Sequence, residues 1–250
     1  MIRRLPVPLL LTLLMPLAGC QVSASTTDIV GRDATLAPEA SQTTAASAAE
    51  QTDTAAPAVR QDFVAWVADF RRQALTEGIN AVTLAAAFDD VRYLPRVIEL
   101  DRAQPEFTRQ VWDYLDTAIS PARIQQGRAQ LAEYRAPIQA ASRRYGVPAE
   151  ILVAIWGIES NYGSNFGSFS TIDALATLGY DGRRPDFARS ELLAALRILQ
   201  RGDIDREHMR GSWAGAMGHT QFLPSSFEKY ARDADGDGRR DIWGSIADVM

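Results

Sequence analysis

One cysteine, Cys20, stands in a chain of 250 residues, so no internal disulfide can form. Histidine is nearly as scarce. His208 and His219 are too few and too far from other soft ligands for a zinc site, and both read as surface or loop residues. No aromatic residue precedes Phe63, which excludes a packed core from the first quarter of the chain. The apolar stretch from Leu5 to Leu17 falls short of the ~20 residues a membrane-spanning helix needs, and Pro6, Pro8 and Pro16 interrupt it. The formal net charge is −5 and no basic stripe stands out, which argues against a nucleic-acid partner. No segment alternates apolar and polar residues for long enough to build a sheet.

What is present divides the chain in three. Arg3 and Arg4, the short apolar stretch and the small residues of Leu17-Ala18-Gly19-Cys20 read as a secretory signal over 1–19. "LAGC" resembles the bacterial lipobox, which implies cleavage before Cys20 and a lipid on its thiol, anchoring a soluble domain to a membrane. Gln21, rather than Asp, is next to the cysteine; the sorting pattern this resembles implies the periplasmic face of the outer membrane. Residues 20–58 are rich in Ala, Thr, Ser, Gln and Asp and read as a disordered tether. From 59 to 250 the composition is globular, about 190 residues that suit one domain.

That domain reads as all-α, with at most a small β-hairpin. Phe63, Trp66, Val67 and Phe70 form an i, i+3, i+4, i+7 stripe. "NAVTLAAAF" and "EFTRQVWDYLDTAI" are further helical stretches. "SPARIQQGRAQLAEYR" has Ser120 as an N-cap and Pro121 at the first helical position, and Pro137 should break or kink the helix beyond it. "FARSELLAALRILQRG" places Leu192, Ala195, Leu196 and Leu199 on one face and stops at Gly202.

The segment "YGVPAEILVAIWGIES" carries Ile151, Leu152, Val153, Ile155, Trp156 and Ile158 around nearly its whole circumference, the pattern of a core helix. Glu159 continues an apolar face, four residues after Ile155. Burying it ionised is costly, so it should hold its proton unusually high or find donors. A carboxyl in that state can act as a general acid. The plain alternative is a glutamate at a helix end that faces solvent. Asn, Ser, Tyr and Phe come next among glycines, the parts of a groove that stacks and hydrogen-bonds sugars, or of ordinary turns. "GSWAGAMGHTQFLPSSFEKY" is a small-residue loop ahead of a short helix, for which Ser225 and Glu228 make an S-x-x-E capping box. No second acid is fixed beside Glu159; Asp173 and Asp181 are the candidates.

"AIWGIESNYG", "DALATLGYDGRRPDF", "GSWAGAMGHTQFLPSSF" and "DADGDGRRDIW", in this order, resemble the membrane-bound lytic murein transglycosylase B family from about Phe63 to Met250. The resemblance implies a lysozyme-like all-α fold and a lyase that cuts peptidoglycan glycan strands, leaving 1,6-anhydromuramoyl ends. It implies Glu159 as the single acid/base, and Ser212 and Gln221 lining the cleft with Met217 and Phe222 beside them. Tyr114 and Tyr180 are candidate sugar platforms. The family continues beyond the acidic loop, so 59–250 is expected to be a C-terminally incomplete catalytic domain. The alternatives are a glycan-binding scaffold without activity and a hydrolytic, lysozyme-type enzyme. A monomer is expected.

"DADGDGRRD" opens like a calcium-binding loop. Asp233, Asp235 and Asp237 offer hard oxygens, Gly238 a sharp turn and Arg239 its carbonyl. Gly244 stands where that pattern has Glu, and Asp248 could close a longer loop, as in the family's calcium site. An acidic turn without metal is the alternative. A bound calcium would be structural and weakly held, and catalysis is expected to need no cofactor.

Overall fold

The stripe of Phe63, Val67 and Phe70 is the buried face of α1 (Pro57–Thr76), and with it the main core begins. The computed structural model describes residues 57–103, 112, 115 and 119–250. The expected signal segment, Cys20, most of the tether, and Tyr114 with most of its expected helix lie outside the described residues.

After α1 come α2 (Ala81–Phe88) and α3 (Pro95–Ala103). Asn80 caps α2 by accepting the Thr83 N–H at 2.8 Å. Beyond them lie α4 (Pro121–Glu133), α5 (Arg135–Tyr145) and α6 (Ala149–Ser160). Ser120 caps α4 and Pro121 opens it, as the sequence indicates. The break falls at Tyr134, so Pro137 sits in the first turn of α5, where its missing N–H costs nothing. Strand β1 (Phe169–Ser170) leads into α7 (Thr171–Asp181), and α8 (Pro185–Arg201) ends at Gly202 in the left-handed conformation. Strand β2 (Arg210–Gly211) pairs antiparallel with β1, matching Phe169 to Gly211 and Ser170 to Arg210. Short helices α9 (Pro224–Tyr230) and α10 (Ile246–Val249) complete the order.

The most enclosed helix is α7. Every residue from Thr171 to Gly179 is buried, between α1, α3 and α8. Small residues make this possible: the Trp66 ring lies so close to Gly179 that an added Cβ would sit 3.0 Å from it. The core-helix expectation for α6 is corrected. Helix α6 buries Val153, Trp156, Gly157 and Ser160, a single i, i+3, i+4, i+7 stripe against α4 and α5. Ile151, Ile155 and Ile158 are each about half exposed among the described residues (50, 52 and 50 %). The helix is apolar on nearly every side, but neighbours cover only one. No described helix is long and apolar enough to cross a membrane.

Candidate active site

Glu159 sits in the last turn of α6 and is exposed, not buried. The desolvation expected from the sequence is therefore absent. Among the described residues the carboxylate has no hydrogen bond or ion pair.

The chain after Glu159 turns sharply. Asn161 and Tyr162 both take the left-handed conformation (φ 49° and 59°). Asn tolerates this, whereas for a bulky residue it is strained. Tyr162 is held there by wedging its ring where α4 and α6 each lack a side chain. A Cβ on Gly157 would lie 2.6 Å from the ring, and one on Gly127 2.5 Å from the hydroxyl. That hydroxyl donates to the Arg123 carbonyl at 2.8 Å. Ser160, buried, donates to the Trp156 carbonyl at 3.3 Å and accepts the Gly163 N–H at 3.1 Å.

The small-residue loop folds back on itself. Met217 bridges to Gly211 and to Phe222, and Ser212 Oγ accepts the Ala216 N–H at 3.1 Å. Gln221 (φ 50°) spends both amide hydrogens on the Phe166 and Gly218 carbonyls, each at 3.0 Å. This rigid loop presents His219, Thr220 and Phe222 to a cavity of about 130 Å³ that Leu152, Ile155, Trp156 and Glu159 also line. Of the expected cleft residues, then, Glu159 and Phe222 meet. Ser212 and Gln221 brace the loop and do not line this cavity. Met217 is fully buried and has no surface to offer a ligand, which corrects its place in the cleft.

His219 was missed as a site residue. Its ring stacks on Trp156 (centroids 6.0 Å, planes 16° apart) and tilts against Phe166 at 5.5 Å. Burial lowers its proton affinity below the usual imidazole value, against the weaker pull of Asp241. It is therefore neutral at neutral pH. His208, by contrast, is an exposed partner of Asp205.

Neither candidate second acid reaches this cavity, and both lie on α7. Asp173 is fully buried and paired with Arg206 at 2.7 Å; burial raises its proton affinity, and Arg206 opposes the shift. Asp181 accepts the Tyr93 hydroxyl at 2.7 Å. Tyr180 also lies elsewhere, edge-on to Phe63, Trp66 and Tyr93 in the core cluster. The expected capping box is not formed. Pro224 is the first residue of α9, so Ser225 lies inside the helix and bonds to buried Glu191 through its N–H (2.9 Å) and hydroxyl (2.7 Å). Glu228 pairs instead with Arg201 and Arg197.

In the acidic loop, Asp233, Asp235 and Asp248 each place an oxygen within 4.8 Å of the others. Asp233 is fixed by the N–H groups of Gly236 and Gly238, and Asp248 by those of Ala234 and Asp241. Burial, with the Asp235 charge nearby, raises the proton affinity of Asp248. Three convergent carboxylates, all hard oxygen donors, suit a calcium-like cation chemically. Asp237 is outside the group and accepts the Arg239 N–H at 2.8 Å. The loop touches the site directly, because the Ile242 carbonyl accepts the His219 N–H at 2.9 Å.

A family profile described as Transglycosylase SLT domain matches residues 62–250. The chain belongs to this family. The membrane-bound lytic murein transglycosylase B of Escherichia coli (strain K12) is 37% identical over 134 residues, which cover 53% of this chain and 37% of that protein. SltB3 from Pseudomonas aeruginosa, solved in complex with NAG-anhNAM-pentapeptide, is 55% identical with a TM-score of 0.73, covering 75% of this chain and 50% of that one. The Escherichia coli lytic transglycosylase Slt35 in complex with calcium is 32% identical, with a TM-score of 0.60 over 77% of this chain and 60% of its own. The mostly helical fold with one two-stranded sheet is thus the lysozyme-like fold of lytic transglycosylases. The chain spans about half the length of SltB3 and just over a third of the E. coli relative with which it aligns.

Proposed function

We propose that the chain is a lytic transglycosylase that cleaves the MurNAc–GlcNAc β-1,4 bond of peptidoglycan with Glu159 as its single acid/base. The observation that carries this is Glu159 itself: among the described residues it is an unpaired carboxylate at a cavity with no second acid in its lining. Glycosidases that activate water use two carboxyl groups in fixed separation. One carboxyl suffices if the substrate supplies the nucleophile. Glu159 gives its proton to the glycosidic oxygen as the C1–O bond breaks. The resulting carboxylate then takes the proton of the C6 hydroxyl, whose oxygen bonds to C1. No water is consumed, and the muramoyl residue ends as a 1,6-anhydro sugar. The anhNAM group named in the SltB3 complex is the product such a step would leave. Phe222, Leu152 and Ile155 offer apolar surface for sugar faces, while Ser212 and Gln221 hold the loop that carries Phe222. The bound strand supplies the desolvation that the chain alone does not.

Asp233, Asp235 and Asp248 would hold a structural calcium, which would supply charge neutralisation to the loop behind His219. Slt35 was solved with calcium, which supports this reading. A rise in the thermal midpoint with calcium, absent in Asp235→Asn, is expected; an unchanged midpoint would refute it. A lipid on Cys20 would place the domain at the periplasmic face of the outer membrane, in keeping with the membrane-bound E. coli relative. The reaction itself is tested by digesting purified peptidoglycan and reading the new ends by mass spectrometry. Anhydro ends support the proposal, whereas reducing ends mean a hydrolase.

A further inference from the structure

The positive charge of this acidic chain is concentrated beside the proposed catalytic helix. From Pro121 to Tyr145, α4 and α5 carry Arg123, Arg128, Arg135, Arg143 and Arg144 against one acid, Glu133. That gives the hairpin a net charge of +4 in a chain of −5.

Elsewhere Arg71, Arg96, Arg102, Arg183, Arg201, Arg206 and Arg240 each pair with a carboxylate. Arg128, Arg135 and Arg143 are exposed and have no ion pair or side-chain hydrogen bond among the described residues. Arg144 has only the ring of Tyr145, 5.5 Å away. None of these four guanidiniums has a carboxylate partner among the described residues.

Their position is specific. Helix α6 packs on both α4 and α5; one groove lies between α4 and α6, and another lies against α5. One, of about 300 Å³, is lined by Arg123 and Arg128 with Ile124, Leu131 and Ile158, and by a single acid, Glu150. The other, of about 360 Å³, is lined by Arg144 and Arg232, with Tyr145, Tyr230 and one acid, Asp248. It meets the Glu159 cavity at Thr220, Phe222, Val249 and Met250.

We propose that the arginines of α4 and α5 form a docking surface for the acidic peptide stems of the peptidoglycan strand. This rests on the function proposed above and extends it from the glycan to its substituents. A stem joined to muramic acid through its N-terminus keeps its C-terminal carboxylate, so a strand with stems is a polyanion. An acidic enzyme would repel such a strand unless one face were locally basic. Guanidinium groups match carboxylates in shape and hydrogen-bonding geometry. Exposed pairs of this kind are individually weak, but several act together and set the direction of approach.

The test measures binding of the chain, carrying Glu159→Gln so that strands stay intact, to strands with stems and to the same strands stripped by an amidase. Sodium chloride is varied from about 50 mM, where charges act beyond ~10 Å, to about 1 M, where they act over ~3 Å. We expect about tenfold tighter binding of stem-bearing strands at low salt and no preference at high salt. The variant R128Q/R135Q/R143Q/R144Q should lose the preference. Equal binding of both strands by the unaltered surface overturns the proposal without recourse to the variant, as does a preference that salt leaves unchanged. Capture by phosphatidylglycerol vesicles with no preference for stems would overturn it in favour of a lipid surface. Anhydro-end release by the wild-type chain is scored separately. Its absence refutes the proposed function, while its presence with equal binding refutes only the docking surface.

Discussion

Two adjacent residues at the end of α6 have opposite environments: Glu159 faces solvent and Ser160 is buried. The backbone beyond them is left-handed from Asn161 to Gly163, and each non-glycine residue held so costs about 1–3 kcal/mol. Packing offsets that cost. At Gly163 (φ 80°) an added Cβ would lie 2.2 Å from the His219 ring, which is itself fixed between Trp156 and Phe166. We therefore expect Gly163→Ala to destabilise the fold by about 2–4 kcal/mol in urea denaturation; wild-type stability would contradict the packing. Part of this was legible in the sequence. Gly127 and Gly157 interrupt helical stretches, a sign of close approach by another group, although not of Tyr162 as that group. His219 was not legible, because every ring against it comes from more than 50 residues earlier in the chain.

At the scale of elements, helix ends were the clearest features. Ser120 and Gly202 act at the helix termini they mark, since caps are local chemistry. Burial was less legible, because it belongs to neighbours. Helix α6 has the stronger apolar pattern, yet α7, richer in Ala, Thr and Gly, is the enclosed one. A capping box was the natural reading of Ser225 and Glu228, and Pro224 displaced it by fixing the helix start one residue earlier than Ser225. The true partner of the Ser225 N–H is Glu191, which no local pattern could indicate. Removing it in Glu191→Ala leaves two polar groups of α9 without their acceptor. The expected loss is about 1–3 kcal/mol in chemical denaturation, with less in Glu191→Gln. No loss in either would show that α9 does not depend on this contact.

Across the whole molecule, one buried carboxylate joins distant parts. Asp203 accepts from Arg201 at the end of α8 and from Arg240 at the end of the acidic loop. Burial by itself would raise its proton affinity, but the Arg240 and Arg201 guanidiniums outweigh this and hold it below the usual carboxylate value. Its contribution to stability is therefore complete above the unfolded value near 3.8 and is lost as pH falls through the lower folded value. Asp203→Asn should cost about 2–3 kcal/mol at pH 7, where a buried pair is broken, and progressively less as the solution is acidified. A cost independent of pH would contradict the assignment. The overall class, mostly helical, was legible because no segment alternates, although the one small sheet pairs strands on either side of α7 and α8 rather than forming a hairpin; the cavity was not, because it joins α6 to a loop some 60 residues further along the chain. The most direct test compares wild-type chain with Glu159→Gln on purified peptidoglycan, counting anhydromuramoyl ends. Because Glu159 is exposed and unpaired, the variant should fold with wild-type stability and release ends about 10²–10⁴-fold more slowly. A variant that still forms those ends at the wild-type rate would show that Glu159 is not the acid/base.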